Sequence, residues 1–315
     1  MNPTFVLSID TELAWGTRGD AFYRADYERT RDVIGRLLAL LAKYEIPATW
    51  AVVGHLFLDS CARDANGVLH PAIVRPEGWT GKNDWFSMDP GTSRLHDPIW
   101  YGDDVIDLIK SCAYPQEIGS HSFSHFYADA CSRESFASDT AEAVRVSREA
   151  EVTPAAYVFP QNRVNHLDVL REQGFTCYRG SDENWYRRLP KLLKKVAHMV
   201  DDYFIPTAPA VHPRIESGLV NIPGSWFYGH ARGWAKYLPV RMRVAKAKAG
   251  LHAAMNEQGV FHLWFHPFNL SSDSEGLLQG LEEIFKYVQE LRVAGKLEAS
   301  SMGQLAERVK AEKTV

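Results

Sequence analysis

The sequence predicts an α/β protein: an irregular (β/α) barrel of about seven strands, with residues 1–315 forming one domain that carries loop insertions around 63–101 and 182–256. Three observations lead there. Short apolar runs alternate with stretches of helical period, the pattern of a parallel sheet with helices outside it. The chain's 315 residues are enough for one large barrel with insertions. Polar residues able to do chemistry cluster just after the apolar runs, and parallel barrels carry their sites at the C-terminal strand ends.

Taken in order, Thr4–Ile9 reads as a buried strand. Tyr27–Tyr44 follows as a helix, with Val33, Ile34, Leu37, Leu38 and Leu41 on one face. Ala48–Val53 is the next strand, after Pro47. Residues 63–101 are irregular and rich in Gly, Pro, Asp and Trp; a connection that long is an insertion or functional. Asp103–Ser111 is helical and Glu117–Ser120 a strand. Ser132 caps a helix to Glu149, and Ala155–Phe159 is a strand. His166–Gln173 is a helix stopped by Gly174, and Phe175–Arg179 a strand. The pattern loosens from about 182 to 256, where Pro206, Pro209, Pro213 and Gly218–Pro223 interrupt it. Val260–Phe265 is a clear strand, Gly276–Ala294 a helix and Lys296–Ala299 a last strand before a closing helix.

Composition narrows the function classes. A net charge of −4 without a basic tail argues against nucleic acid as partner. The one basic cluster, Arg187–Lys195, is interrupted by leucines and reads as a solvated helix face. No run of 18 apolar residues offers a transmembrane segment. The chain starts directly on strand-like sequence with no charged leader, and Cys61, Cys112, Cys131 and Cys177 are scattered; both fit a cytoplasmic protein with reduced thiols.

The most informative segment is Glu117–His125, which places His121 and His125 four apart after a strand. If the segment turns helical there, both imidazoles share one face at about 5–6 Å between Cβ atoms. Asp10 and Glu12 follow the first strand, two apart and so facing one way. Two histidines and one carboxylate form a ligand set for a catalytic zinc with one open position, which leaves the other carboxylate as a base. His262 and His266 share a face of the late strand. The first is deep enough to be a buried structural histidine, while the second is placed as a general acid. Asn162 and Arg163 after one strand, and Asp182 and Trp185 after the next, are candidates for orienting the base or binding substrate. Trp15, Trp79, Trp85, Trp100, Trp226 and Trp234 sit in loop-like segments, where aromatic rings serve either as loop packing or as walls for sugar rings.

The order of these motifs resembles the polysaccharide deacetylase (NodB-homology) family, from about residue 4 to 305. Ser8-Ile9-Asp10-Thr11-Glu12 is similar to its first carboxylate motif, and His121-Ser122-Phe123-Ser124-His125 to its histidine motif. Leu263-Trp264-Phe265-His266 is similar to its late strand end. The resemblance implies Asp10 as general base, Glu12, His121 and His125 as metal ligands, and His266 as general acid. It implies an oxyanion donor near Gln161. Two departures mark a divergent member. The place of the arginine that holds the base is taken by Val158, so that Arg163 is the candidate substitute, and the ligand carboxylate is Glu12 rather than Asp.

The resulting expectation is a divalent-metal hydrolase, with zinc preferred. It would remove an N-acetyl group from a sugar, specifically a cytoplasmic precursor of a surface polysaccharide such as lipopolysaccharide. The alternatives are a hydrolase of a non-sugar amide and a non-catalytic carbohydrate-binding relative; the arginine's absence at Val158 supports the latter.

Overall fold

The computed structural model describes residues 1–79, 83–182, 190, 193 and 207–314. Its first strand, β1 (Thr4–Thr11), is buried along its whole length. Apolar residues on both of its faces require cover on both sides. β1 pairs in parallel with β2 (Thr49–Val52), with β9 (Val260–Phe265) and, through Thr4–Val6, with β10 (Glu298–Ser300). Beyond β2 the sheet continues in parallel through β3 (Glu117–Ser120), β4 (Ala156–Val158), β5 (Cys177–Arg179) and β7 (Leu219–Asn221). There β6 (Arg214–Glu216) adds an antiparallel edge, and at the other end β8 (Trp226–Phe227) flanks β9.

The sheet of the described residues thus has ten strands, in the order β6-β7-β5-β4-β3-β2-β1-β9-β8 with β10 against β1. It is a curled, parallel-dominated half-barrel. The α/β barrel class expected from the sequence holds, and the strand count is a correction. The three additional strands, β6, β7 and β8, are two or three residues long and fall in the stretch where the pattern loosened. Strands that short carry no periodicity to read.

Helices cover the outer face. α1 (Arg24–Lys43) buries Val33, Ile34, Leu37, Leu38 and Leu41. α2 (Asp103–Lys110) buries Val105, Ile106 and Ile109, and has Asp103 and Asp104 in its first turn, where they complement the helix dipole. α3 (Arg133–Glu149) begins at Ser132, whose hydroxyl accepts from the Ser135 N–H at 3.1 Å. The helix Val240–Glu257, not expected from the sequence, buries Val244, Ala247, Leu251 and Ala254. Its many Ala, Lys and Arg are good helix formers, but they give a weak apolar stripe. No helix among the described residues is long and apolar enough to cross a membrane.

Candidate metal centre and active site

β1 delivers both carboxylates. Asp10 lies inside the strand, and Glu12 caps the short 3-10 turn Leu13–Thr17 that follows it. Gly16 is required there: a Cβ on it would fall 1.6 Å from Glu12 Oε2.

The histidine motif follows β3 but is not helical. It is a turn in which Ser122 and His125 hold left-handed φ values of 67° and 64°. The convergence expected from helical spacing is therefore reached another way. Buried Asp139 of α3 accepts four hydrogen bonds from the turn: Ser122 Oγ at 2.6 Å, Phe123 N at 2.9 Å, Ser124 N at 3.1 Å and Ser124 Oγ at 2.6 Å. This clamp replaces the helix as the positioning device.

Glu12 Oε1 is the meeting point. It lies 2.9 Å from His121 Nε2, 3.1 Å from His125 Nε2 and 3.3 Å from His266 Nε2. His121 Nδ1 is 2.7 Å from the Val158 carbonyl, which can only accept. The Nδ1–H therefore donates, and in the tautomer this fixes Nε2 offers its lone pair toward Glu12. Two acceptors facing each other in a buried site call for a cation between them. His125 Nδ1 is buried without a hydrogen-bond partner among the described residues. Glu12, His121 and His125 form a group of three potential ligands whose donor atoms all lie within 4.8 Å of one another. The residues fit a divalent metal of zinc type by donor chemistry and by the tautomer of His121.

Asp10 is gripped from β5. Arg179 Nη1 donates to Asp10 Oδ1 at 2.7 Å and Nη2 to Oδ2 at 2.6 Å, a bidentate fork between two buried residues. Burial alone would raise the Asp10 pKa, but the Arg179 guanidinium outweighs it and holds the carboxyl below its ordinary value. Arg179 is itself held by Ser8 Oγ at 3.0 Å and by Asn162 Oδ1 at 3.3 and 3.2 Å, and it lies 4.2 Å from the Trp264 ring centroid.

Sequence reasoning missed this residue, although it is the last of its strand. Its register partner on β4 is Val158, the place where the family's arginine was absent. Arg163, the expected substitute, pairs instead with Asp129 at 3.1 Å and lies 5.1 Å from the Tyr127 ring centroid. It is half-exposed and does not reach Asp10, because Gln161 and Asn162 both take left-handed φ and turn the chain outward.

His266 follows β9, with Nε2 3.8 Å from Asp10 Oδ2 and its side chain 19% exposed. Asn269 Nδ2 lies 3.3 Å from its Nδ1. Burial pushes the His266 pKa down, but Glu12 and Asp10 more than offset this and hold it above the usual imidazole value.

A cleft of about 270 Å³ opens on these groups, walled by Tyr23, Gln161, His230, Trp264 and Phe268. Gln161 Nε2 donates to Tyr127 OH at 3.0 Å. Asp182 lies behind the cleft and accepts from Trp264 Nε1 at 3.3 Å. Trp185 and most of the basic cluster 187–195 lie outside the described residues. Of the loop tryptophans, Trp15, Trp85, Trp100 and Trp226 are buried packing, whereas the cleft-lining indole is Trp264 in β9. His262 is fully buried, within hydrogen-bonding distance of the Pro223 carbonyl (3.0 Å) and Ser8 Oγ (2.9 Å).

Fold and site together define an α/β half-barrel with a candidate metal centre and an adjacent Asp10–His266 pair at the C-terminal ends of its strands. The polysaccharide deacetylase family model matches residues 25–178, just under half of the chain. The matched stretch contains His121 and His125; Asp10, Glu12, Arg179 and His266 lie outside it.

Among solved structures, a protein from Mycobacterium smegmatis described as a polysaccharide deacetylase is 17% identical. It covers 98% of this chain and 91% of its own, with a TM-score of 0.63. Puue allantoinase is 12% identical over 98% of this chain and 90% of its own, with a TM-score of 0.54. A Pseudomonas aeruginosa PAO1 protein, also described as a polysaccharide deacetylase, is 11% identical over 96% and 89%, with a TM-score of 0.54. At these identities the likeness is one of fold. No curated protein matches the chain.

Proposed function

We propose that the chain is a metal-dependent carbohydrate deacetylase that hydrolyses the N-acetyl group of an amino sugar. The observation that carries this reading is the convergence at one cleft of three candidate metal donors, an arginine-held carboxylate and an imidazole. Glu12, His121 and His125 would hold the metal. When bound there, a zinc-type ion supplies Lewis acidity that polarises an amide carbonyl and makes water a nucleophile near neutral pH.

The chain's own residues supply the rest. Asp10, ionised and fixed by Arg179, takes the proton of the attacking water. His266 Nε2–H lies across from it and gives its proton to the departing amine, a poor leaving group without one. The 3.8 Å between His266 Nε2 and Asp10 Oδ2 puts both groups within reach of one reacting centre. An N–H near Gln161 would serve as a donor to the oxyanion; one such donor is worth about 2.7–4 kcal/mol.

A cleft of about 270 Å³ suits one sugar unit. It supports a small N-acetylated precursor of a surface polysaccharide as substrate. The same small volume favours, as a second reading, a compact non-sugar amide. The non-catalytic reading loses its main support, because Arg179 supplies the arginine missing at Val158.

The test is acetate release from N-acetylated sugar nucleotides by purified protein, with and without added zinc, beside a panel of small amides. Acetate from a sugar that is lost in His121→Ala supports the proposal; turnover of amides alone moves it to the second reading. No metal-dependent release from any substrate overturns it.

A further inference from the structure

The long connection between β2 and α2 holds a second cluster with ligand chemistry. His55, Cys61, His70 and Asp89 bring one donor atom each to within 4.8 Å of one another. His55 and Asp89 are fully buried in their side chains and His70 nearly so. His55 Nε2 lies 3.1 Å and His70 Nε2 2.9 Å from Asp89 Oδ2, and Cys61 Sγ is 3.5 Å from both Asp89 oxygens. A tetrahedral site with bonds of about 2.0–2.3 Å has ligand–ligand edges of about 3.3–3.7 Å. Small side-chain rotations bring these separations to such edges.

A second observation separates a metal site from a hydrogen-bonded network. His55 Nδ1 is 3.2 Å from the Trp100 carbonyl, so its N–H must donate there. The Nε2 lone pair then faces the Asp89 carboxylate, and this buried nitrogen has no hydrogen-bond partner among the described residues. Two acceptors 3.1 Å apart away from water repel unless a cation or proton lies between them. The contact meets no hydrogen-bond geometry, which disfavours a shared proton. At the Glu12 centre His121 is oriented in the same way, with Nδ1 on the Val158 carbonyl and Nε2 toward Glu12 Oε1.

We propose that His55, Cys61, His70 and Asp89 bind a zinc-type divalent cation as a closed, four-ligand structural site. The charges balance: a thiolate and a carboxylate neutralise a dication, with two neutral imidazoles completing the shell. Binding displaces the Cys61 thiol proton to solvent and forms the metal–sulfur bond.

The site has a structural task to perform. Residues 58–101 have little regular structure, yet Trp85 Nε1 donates to the Ser124 carbonyl at 2.7 Å, inside the histidine motif. His55 N donates to the Phe123 carbonyl at 2.8 Å. Four ligands from both ends and the middle of the loop would pin it behind the active-site turn. The inference is independent of the proposed activity.

The test is metal content of the full chain purified without added metal, followed by exchange for cobalt(II). We expect about two metal equivalents per chain, falling to about one in His125→Ala and to about one in Cys61→Ser or His70→Ala. The cobalt form of the native chain and of His125→Ala should show a thiolate-to-cobalt charge-transfer band, absent from Cys61→Ser. Cys61 is the one cysteine in such a group among the described residues. A single equivalent that disappears in His125→Ala, or a native cobalt form without the thiolate band, overturns the proposal. The native-chain measurement decides even where the Cys61 and His70 variants fail to fold.

Discussion

Around Glu12, the Nε2 atoms of His121, His125 and His266 meet one carboxylate oxygen beside a cleft; around Asp89, two imidazoles, a carboxylate and a thiol meet inside a packed loop. Both clusters orient a histidine through a backbone carbonyl, Val158 for His121 and Trp100 for His55. They differ in donor set and access. A centre open to a cleft can admit a reactant, whereas four ligands buried in a loop would close the shell. The tasks proposed for the two centres differ accordingly.

If that difference is real, each centre should fail in its own way. The largest effect is expected for His121→Ala or His125→Ala: acetate release at background, one metal equivalent lost, circular dichroism unchanged. Next, His266→Ala should lower turnover by about 10²–10⁴-fold while both metal equivalents remain, since it removes a proton donor and not a ligand. Arg179→Met strands a buried carboxylate. It should cost about 3–5 kcal/mol in urea unfolding and depress turnover, and Arg179→Lys should not restore it because the bidentate fork is lost.

Asp139→Asn should weaken metal binding at the open centre by about 10–100-fold, read by chelator competition, with no change at the closed one. A separate pH effect is expected beneath the open centre. Burial and the nearby Arg179 push the His262 pKa down to about 3. The folded state keeps this ring neutral, while the unfolded chain protonates it below about 6.5. Stability should therefore fall as pH drops below about 6.5, by up to about 1.4 kcal/mol per unit, and level off near 3. His262→Gln should flatten that slope.

Much of this was legible in the sequence. Long periodic elements such as α1 and β9 announce themselves, and Asp10, Glu12, His121, His125 and His266 are visible as polar residues at strand ends. What was not legible depends on distance in the chain. Asp139 reads as one more acid on a polar helix face, and nothing in its neighbours points to the turn it clamps. Cys61 and Asp89 sit 28 residues apart in an irregular loop, and no spacing rule joins them to His55 and His70. The turn at His121–His125 deceived in detail, because four-residue spacing suits a helix and also suits a turn with two left-handed residues.

The register of β4 against β5 sets Val158 and Arg179 side by side. A guanidinium that leaves one strand end can thus be supplied by its lateral neighbour at the same height, reaching the same carboxylate. Position along the chain is then a poor marker for this role, and position on the rim of the sheet a good one. A relative lacking the arginine in its usual motif should be examined at the end of the adjacent strand before it is counted as inactive. Exchanging the pair, Val158→Arg with Arg179→Val, would measure how freely a charge can migrate around such a rim.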